Sequence, residues 1–115
     1  MEKVALFAFN GEPMCFVHVL LNALDMKEKG IDVKMIIEGA AVKLIPDFSS
    51  ASSPLKPLFN SAFGLDLIDG ICMACSHKMG TQEAAKALGL RLLSDMSGHP
   101  SITRYRNEGY EILTF

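Results

Sequence analysis

The segment KVALFAFNGEPMCFVHVLLNALDMKEKGIDVKMIIE, Lys3 to Glu38, decides the fold. KVALFAF (Lys3–Phe9) is a nearly continuous apolar run of strand length, the composition of a strand buried on both faces. NGEP breaks it. MCFVHVLLNALDMKEKG then repeats apolar residues at helical spacing, with Val17, Leu20, Leu21 and Leu24 predicted to line one face. Lys27 and Lys29 suit the end of that helix, where cations meet the negative end of the dipole, and Gly30 suits its C-cap. IDVKMIIE (Ile31–Glu38) reads as a second strand. A strand, a helix and a strand in that order form a crossover unit, so the two strands should be parallel.

Outward from this unit the alternation continues. GAAVKLIPDF gives one or two helical turns stopped by Pro46, and the Ser49–Ser53 stretch before Pro54 is the most loop-like part of the chain. LKPLFNSAFG reads as a helix, Leu55–Phe63, capped by Gly64. A third strand lies within Leu65–Met73, centred on DGICM. TQEAAKALG is a strong helix former and LRLLS a short fourth strand. GHPSITRYRNEG reads as a helix with Pro100 in its first turn and Gly109 beyond its end, and YEILTF as a terminal strand. The expected architecture is a single domain over residues 1–115, an α/β/α three-layer sandwich on a mainly parallel five-stranded sheet. In such sheets sites collect at the C-terminal ends of the strands, where NGEP, EGAA and CMAC all fall.

Composition narrows the function. Among 115 residues, half are hydrophobic and 21% charged, with a net charge of -2, so no basic face is announced for nucleic acid or an anionic membrane. No apolar stretch reaches the roughly 18 residues of a membrane span, and the N-terminus lacks a signal-peptide pattern, so a cytoplasmic protein is expected. Three cysteines are an odd number for a disulfide framework. In a reducing compartment they should be thiols, metal ligands or redox-active groups.

Cys72 and Cys75, in GICMACSHKMG (Gly70–Gly80), stand where the third strand turns into a helix. Backbone N–H groups there favour negative charge, so a thiol at this point is expected to have a lowered pKa and a larger thiolate fraction. His77 and Lys78 could add positive charge. A thiolate is what sulfur transfer needs, and the same pair could cycle to a disulfide. His99, ahead of Pro100, stands at a helix entrance and could act as base or proton shuttle, or could only shape a turn. Asn10 and Glu12 could line the same rim with His77 as ligand-binding groups; as solvated turn residues they would do neither. A four-ligand metal set of Cys15, His18, Cys72 and Cys75 is the alternative, although Cys15 and His18 are also spaced as ordinary helix neighbours.

The element order and the residues around the thiols resemble the DsrE/DsrF-like family, with its TusD-like sulfur-relay and YchN-like branches. The resemblance runs over almost the whole chain, through VALFAF, IDVKMIIEGAAV, ICMACSHKMG, EAAKALGL and EGYEILTF. Its most telling match is a strand ending in a cysteine with a glycine eight residues later, here Cys72 and Gly80. The resemblance implies that Cys72 carries a persulfide. Cys75 departs from the relay pattern, in which a small residue is typical, and would be a resolving thiol or itself the reactive group. The resemblance further implies self-assembly as dimers, trimers or hexamers, with sulfur donor and acceptor proteins as partners and no cofactor.

The leading expectation is therefore a sulfur carrier, with sulfurtransferase activity in that sense. A metal-binding module is the alternative. A non-catalytic oligomeric protein binding a small ligand is another, although the chain has no G-x-G-x-x-G phosphate loop.

Overall fold

The computed structural model describes residues 2–115. β1 (Lys3–Ala8) and β2 (Asp32–Ile37) flank α1 (Pro13–Glu28) and pair in parallel without interruption, from Lys3 opposite Asp32 to Ala8 opposite Ile37. A 3-10 segment (Gly39–Leu44), α2 (Ile45–Ser49) and α3 (Leu55–Gly64) lead to β3 (Ile68–Cys72). α4 (Met73–Lys78), α5 (Gln82–Ala87), β4 (Leu92–Leu93), α6 (Ile102–Asn107) and β5 (Glu111–Thr114) complete the chain. The five strands lie in the order β4-β3-β2-β1-β5, and every neighbouring pair is parallel.

This order follows from the handedness of crossovers. Three successive connections step across the sheet in one direction, so right-handed crossovers put their helices on one face. The return from β4 to β5 runs the other way and puts α6 on the opposite face. The first face buries Leu6, Met35, Ile37 and Ile71 under Phe16, Leu20, Phe48 and Phe59. Phe16, Phe48 and Phe59 stack in series, with centroids 5.1 and 4.4 Å apart. The second face is thinner: Ala5, Phe7, Ile36 and Leu93 are covered by Tyr105 of α6 and by Tyr110. The expected three-layer α/β/α sandwich is the fold, with unequal outer layers.

Local details differ from expectation for identifiable reasons. α1 buries Phe16, Val19, Leu20 and Ala23, whereas Leu21 is 45% exposed. The apolar stripe is wide, and the sheet selects the side carrying Phe16. Pro46 starts α2 instead of stopping a helix, because its missing N–H costs nothing in a first turn. Gly64 lies inside α3, and the left-handed residue that ends that helix is Asp66. Pro100 precedes α6, whose N-cap is Ser101, its side chain accepting from Arg104 N–H.

β3 carries an extra residue. Met35 pairs with Ile68 and Ile36 with Gly70, which leaves Asp69 as a bulge. Its side chain, only 6% exposed, accepts a hydrogen bond from the Tyr105 hydroxyl and meets Lys34 at 3.3 Å, Arg104 at 3.6 Å and Arg91 at 3.7 Å. Burial opposes the charge on this carboxylate, but the Tyr105 hydrogen bond and the neighbouring cations outweigh it and hold its pKa below the usual carboxylate range. Asp69 thereby fastens α6 to the sheet.

Gly70 lets β4 approach β3: a Cβ there would stand 2.6 Å from the Arg91 carbonyl and 2.7 Å from Leu93 Cγ. Gly70→Ala should therefore lower unfolding stability by about 1–3 kcal/mol, read by chemical denaturation. An unchanged midpoint would show that β4 does not hold this spacing in solution.

Candidate functional site

β3 and β4 are neighbours, but their connections leave toward opposite faces of the sheet. Such a switch point opens a crevice at the strand ends, where ligand sites form in open parallel sheets. Cys72 ends β3, and the segment after β4 carries His99 back to it.

The path of that segment is set by a tight turn. Met96 and His99 exchange both backbone hydrogen bonds, at 2.8 and 2.9 Å. Between them Ser97 and Gly98 have φ of 51° and 86°, the signature of a type I′ turn. The Gly98 carbonyl accepts from Ala74 N–H at 2.8 Å, tying the turn to α4, and a Cβ on Gly98 would meet Ala74 Cβ at 3.1 Å. Asp95 holds the far side, accepting from Ser101 N–H at 3.3 Å and from Arg104 Nε at 2.8 Å. His99 is thus placed by backbone geometry on one side and by α6 on the other.

Three side chains converge. Cys72 Sγ lies 3.2 Å from His99 Nδ1, Cys75 Sγ lies 3.7 Å from the same nitrogen, and all three atoms fall within 4.8 Å of one another. Cys72 Sγ also accepts from Cys75 N–H at 3.2 Å and lies 3.7 Å from the Gly98 carbonyl. Cys72 is fully buried, Cys75 half-buried, and both are free thiols. Glu38, just past the end of β2, brings Oε1 to 3.8 Å from His99 Nδ1. Its side chain is 12% exposed, and burial raises its pKa against the opposing pull of His99.

The thiol electrostatics run opposite to the expectation of a lowered pKa at Cys72. Burial pushes this thiol up to about 12, helped by Cys75 and the Glu38 charge and only partly opposed by the Cys75 N–H bond. α4 is six residues long and directs one N–H at the sulfur, too little to repay desolvation of a fully buried thiolate. Resting Cys72 is a protonated thiol, and His99 is the group placed to take its proton.

The other candidates stand apart. Among the described residues the only cluster of three or more metal-capable groups is Cys72, Cys75 and His99; Cys15 and His18 are not in it. Cys15 is half-buried in the first turn of α1 and His18 is exposed, so the four-ligand set with Cys15 and His18 is not assembled. His77 is exposed on the last turn of α4. Asn10 and Glu12 are exposed, and Asn10 Oδ1 accepts from Glu12 N–H at 2.8 Å, the bond of a turn residue. Glu38 was not singled out from the sequence, although it directly follows an apolar strand at the sheet's C-terminal edge.

Fold and site together define an α/β protein with an all-parallel five-stranded sheet and a dithiol–histidine cluster at its switch point. The chain belongs to the family of the uncharacterized protein MJ0733 of Methanocaldococcus jannaschii, being 38% identical over 97 residues, 84% of this chain and 77% of that protein. An uncharacterized protein of Archaeoglobus fulgidus is 35% identical over 51 residues, 44% of this chain and 84% of its own length. The solved structure of the conserved protein of unknown function BT1422 from Bacteroides thetaiotaomicron shares the fold, with a TM-score of 0.75 and 20% identity over 99% of this chain and 95% of that one. No family model matches the chain.

With Cys72 pushed up to about 12, its thiolate fraction should be about a thousandfold below that of an ordinary thiol. Brief iodoacetamide treatment of the folded chain at mildly alkaline pH should alkylate Cys75 and spare Cys72, whose modification should accelerate as pH rises toward 12. Peptide mapping checks this. Cys72 modified as fast as Cys75 would contradict the site as described.

Proposed function

We propose that this chain handles sulfane sulfur, as its DsrE/DsrF-like resemblance implies. The Cys72–Cys75 pair accepts a sulfur atom as a persulfide and passes it to a partner thiol. The observation that carries this reading is the convergence of two free thiols on one imidazole nitrogen, at 3.2 and 3.7 Å. Sulfur exchange needs a nucleophilic sulfur, a second sulfur within reach and a group that moves a proton between them. Met96, 51% exposed and bridged to His99, offers apolar contact area where an acceptor protein or a second subunit docks. Among the described residues no helix is long and apolar enough to cross a membrane.

The test uses single variants, in which a persulfide has no neighbouring thiol to attack it. After exposure to a low-molecular-weight persulfide, at least one of Cys72→Ser and Cys75→Ser should gain one sulfur by intact mass. The double variant, which keeps Cys15, should gain none. Equal loading of the double variant, or loading of neither single variant, would overturn the proposal.

A second reading rests on the same three atoms. Two sulfurs and a nitrogen within 4.8 Å could hold a soft divalent ion such as zinc. Glu38 Oε1, 3.8 Å from His99 Nδ1, is a carboxylate oxygen beside that group. Elemental analysis of freshly purified, untagged chain separates the two readings. Near one zinc per chain supports the metal; a value near zero removes it.

A further inference from the structure

The two thiols of the cluster are not equivalent. Cys72 Sγ is enclosed by the Gly98 carbonyl, the Cys75 N–H and His99, and the residue has no exposed surface. Cys75 is half-buried one helical turn further on. A persulfide dissolved in water can bring its outer sulfur to Cys75; reaching Cys72 would require opening the switch-point crevice. The distance between the thiols is short enough for a disulfide to close by modest side-chain rotation, since both sulfurs lie within 4.8 Å of each other and the cysteines are spaced three apart.

We propose that Cys75 is the sulfur-accepting thiol and Cys72 its resolving thiol, so that sulfur not taken by an acceptor leaves as hydrogen sulfide. This rests on the sulfur-handling reading above and assigns the fate of the sulfur within it. In the loading step Cys75 takes the outer sulfur of a small persulfide, and the donor departs as a thiol. In the second step His99 Nδ1 removes the Cys72 proton as Cys72 Sγ attacks Cys75 Sγ. The Cys72–Cys75 S–S bond forms, and the bond between Cys75 Sγ and its outer sulfur breaks. That sulfur leaves with the electron pair as hydrosulfide and takes the proton from the imidazolium. The sulfane sulfur is reduced by two electrons and the two cysteines are oxidised to a disulfide, so the step needs no other oxidant. A second turnover needs an external dithiol to reopen the disulfide.

The geometry favours this direction. A persulfide on Cys75 would stand beside a protonated thiol and its base, the pair needed to expel hydrosulfide. The reverse assignment would place the extra sulfur inside a fully buried site and require the half-buried thiol to resolve it. Hydrosulfide is a far better leaving group than an alkyl thiolate, because leaving thiols of lower pKa depart faster.

The experiment treats the reduced chain, without oxygen, with one equivalent of glutathione persulfide and no acceptor. Sulfide is trapped with monobromobimane and protein species are read by intact mass. The wild type should release close to one sulfide per chain above the donor blank and finish as a Cys72–Cys75 disulfide with Cys15 still free. Cys72→Ser, and Cys72→Ala in case serine disturbs the buried position, should hold a stable persulfide on Cys75 and release sulfide only after dithiothreitol. His99→Ala should still load but release sulfide at least tenfold more slowly. A wild type that keeps its persulfide, or a Cys72 variant that releases sulfide as fast as wild type, would overturn the assignment while leaving sulfur handling intact. Absence of both sulfide from the wild type and persulfide on every variant would instead remove sulfur handling itself.

Discussion

The burial of Cys72 at the end of β3 is the constraint on which the site depends. The sulfur is out of water and keeps three partners: the Cys75 N–H, the Gly98 carbonyl region and His99 Nδ1. Each partner comes from a different piece of local structure, a first helical turn, a type I′ turn and the residue that leaves it. They meet because β3 and β4 are adjacent while their connections leave to opposite faces. Right-handed crossovers require that divergence once the strand order is fixed. Sheet topology therefore comes before chemistry: it creates the crevice, and local turn geometry fills it with an imidazole.

The two faces of the sheet divide the work. The thick face, with its series of stacked phenylalanines, supplies most of the buried apolar surface. The thin face is held by polar contacts around a buried carboxylate, Asp69, which links the bulged strand to Tyr105 and Arg104 of α6. Arg104 in turn binds Asp95 at 2.8 Å, at the base of the segment that carries His99. A chain of charge-assisted contacts thus runs from β3 through α6 to Asp95, four residues before the histidine, while Cys72 reaches that histidine directly from the end of β3. Glu38, just past the end of β2, completes the surroundings, and its charge works against a thiolate at Cys72. The resting site keeps its inner sulfur protonated.

Much of this was legible in the chain. The continuous apolar runs of β1 and β2 around one helix determine a parallel unit, because an apolar run of that length buries both faces. The thiols at a strand end and His99 before a proline also follow from local pattern. What sequence could not supply were consequences of packing. The face of α1 was misjudged because Leu21 and Phe16 are equally apolar and only the sheet chooses between them. The direction of the Cys72 pKa was misjudged because a helix N-terminus favours a thiolate only when desolvation is small, and here burial is complete. Glu38 went unnoticed because a carboxylate after a strand is ordinarily solvated. Asp69, which in the sequence is only one residue of the third strand, is the residue that anchors α6.

The central claim is that Cys72, Cys75 and His99 act as one unit, in which the two sulfurs can exchange a bond. The most direct measurement is a redox equilibration of the purified chain across a series of reduced to oxidised dithiothreitol ratios, followed by acid quench, alkylation of free thiols and intact mass. The expected result is a single two-electron transition between a chain with three alkylated cysteines and one in which only Cys15 is alkylated. A chain that keeps all three cysteines alkylatable at every ratio, or that pairs Cys15 instead, would contradict it.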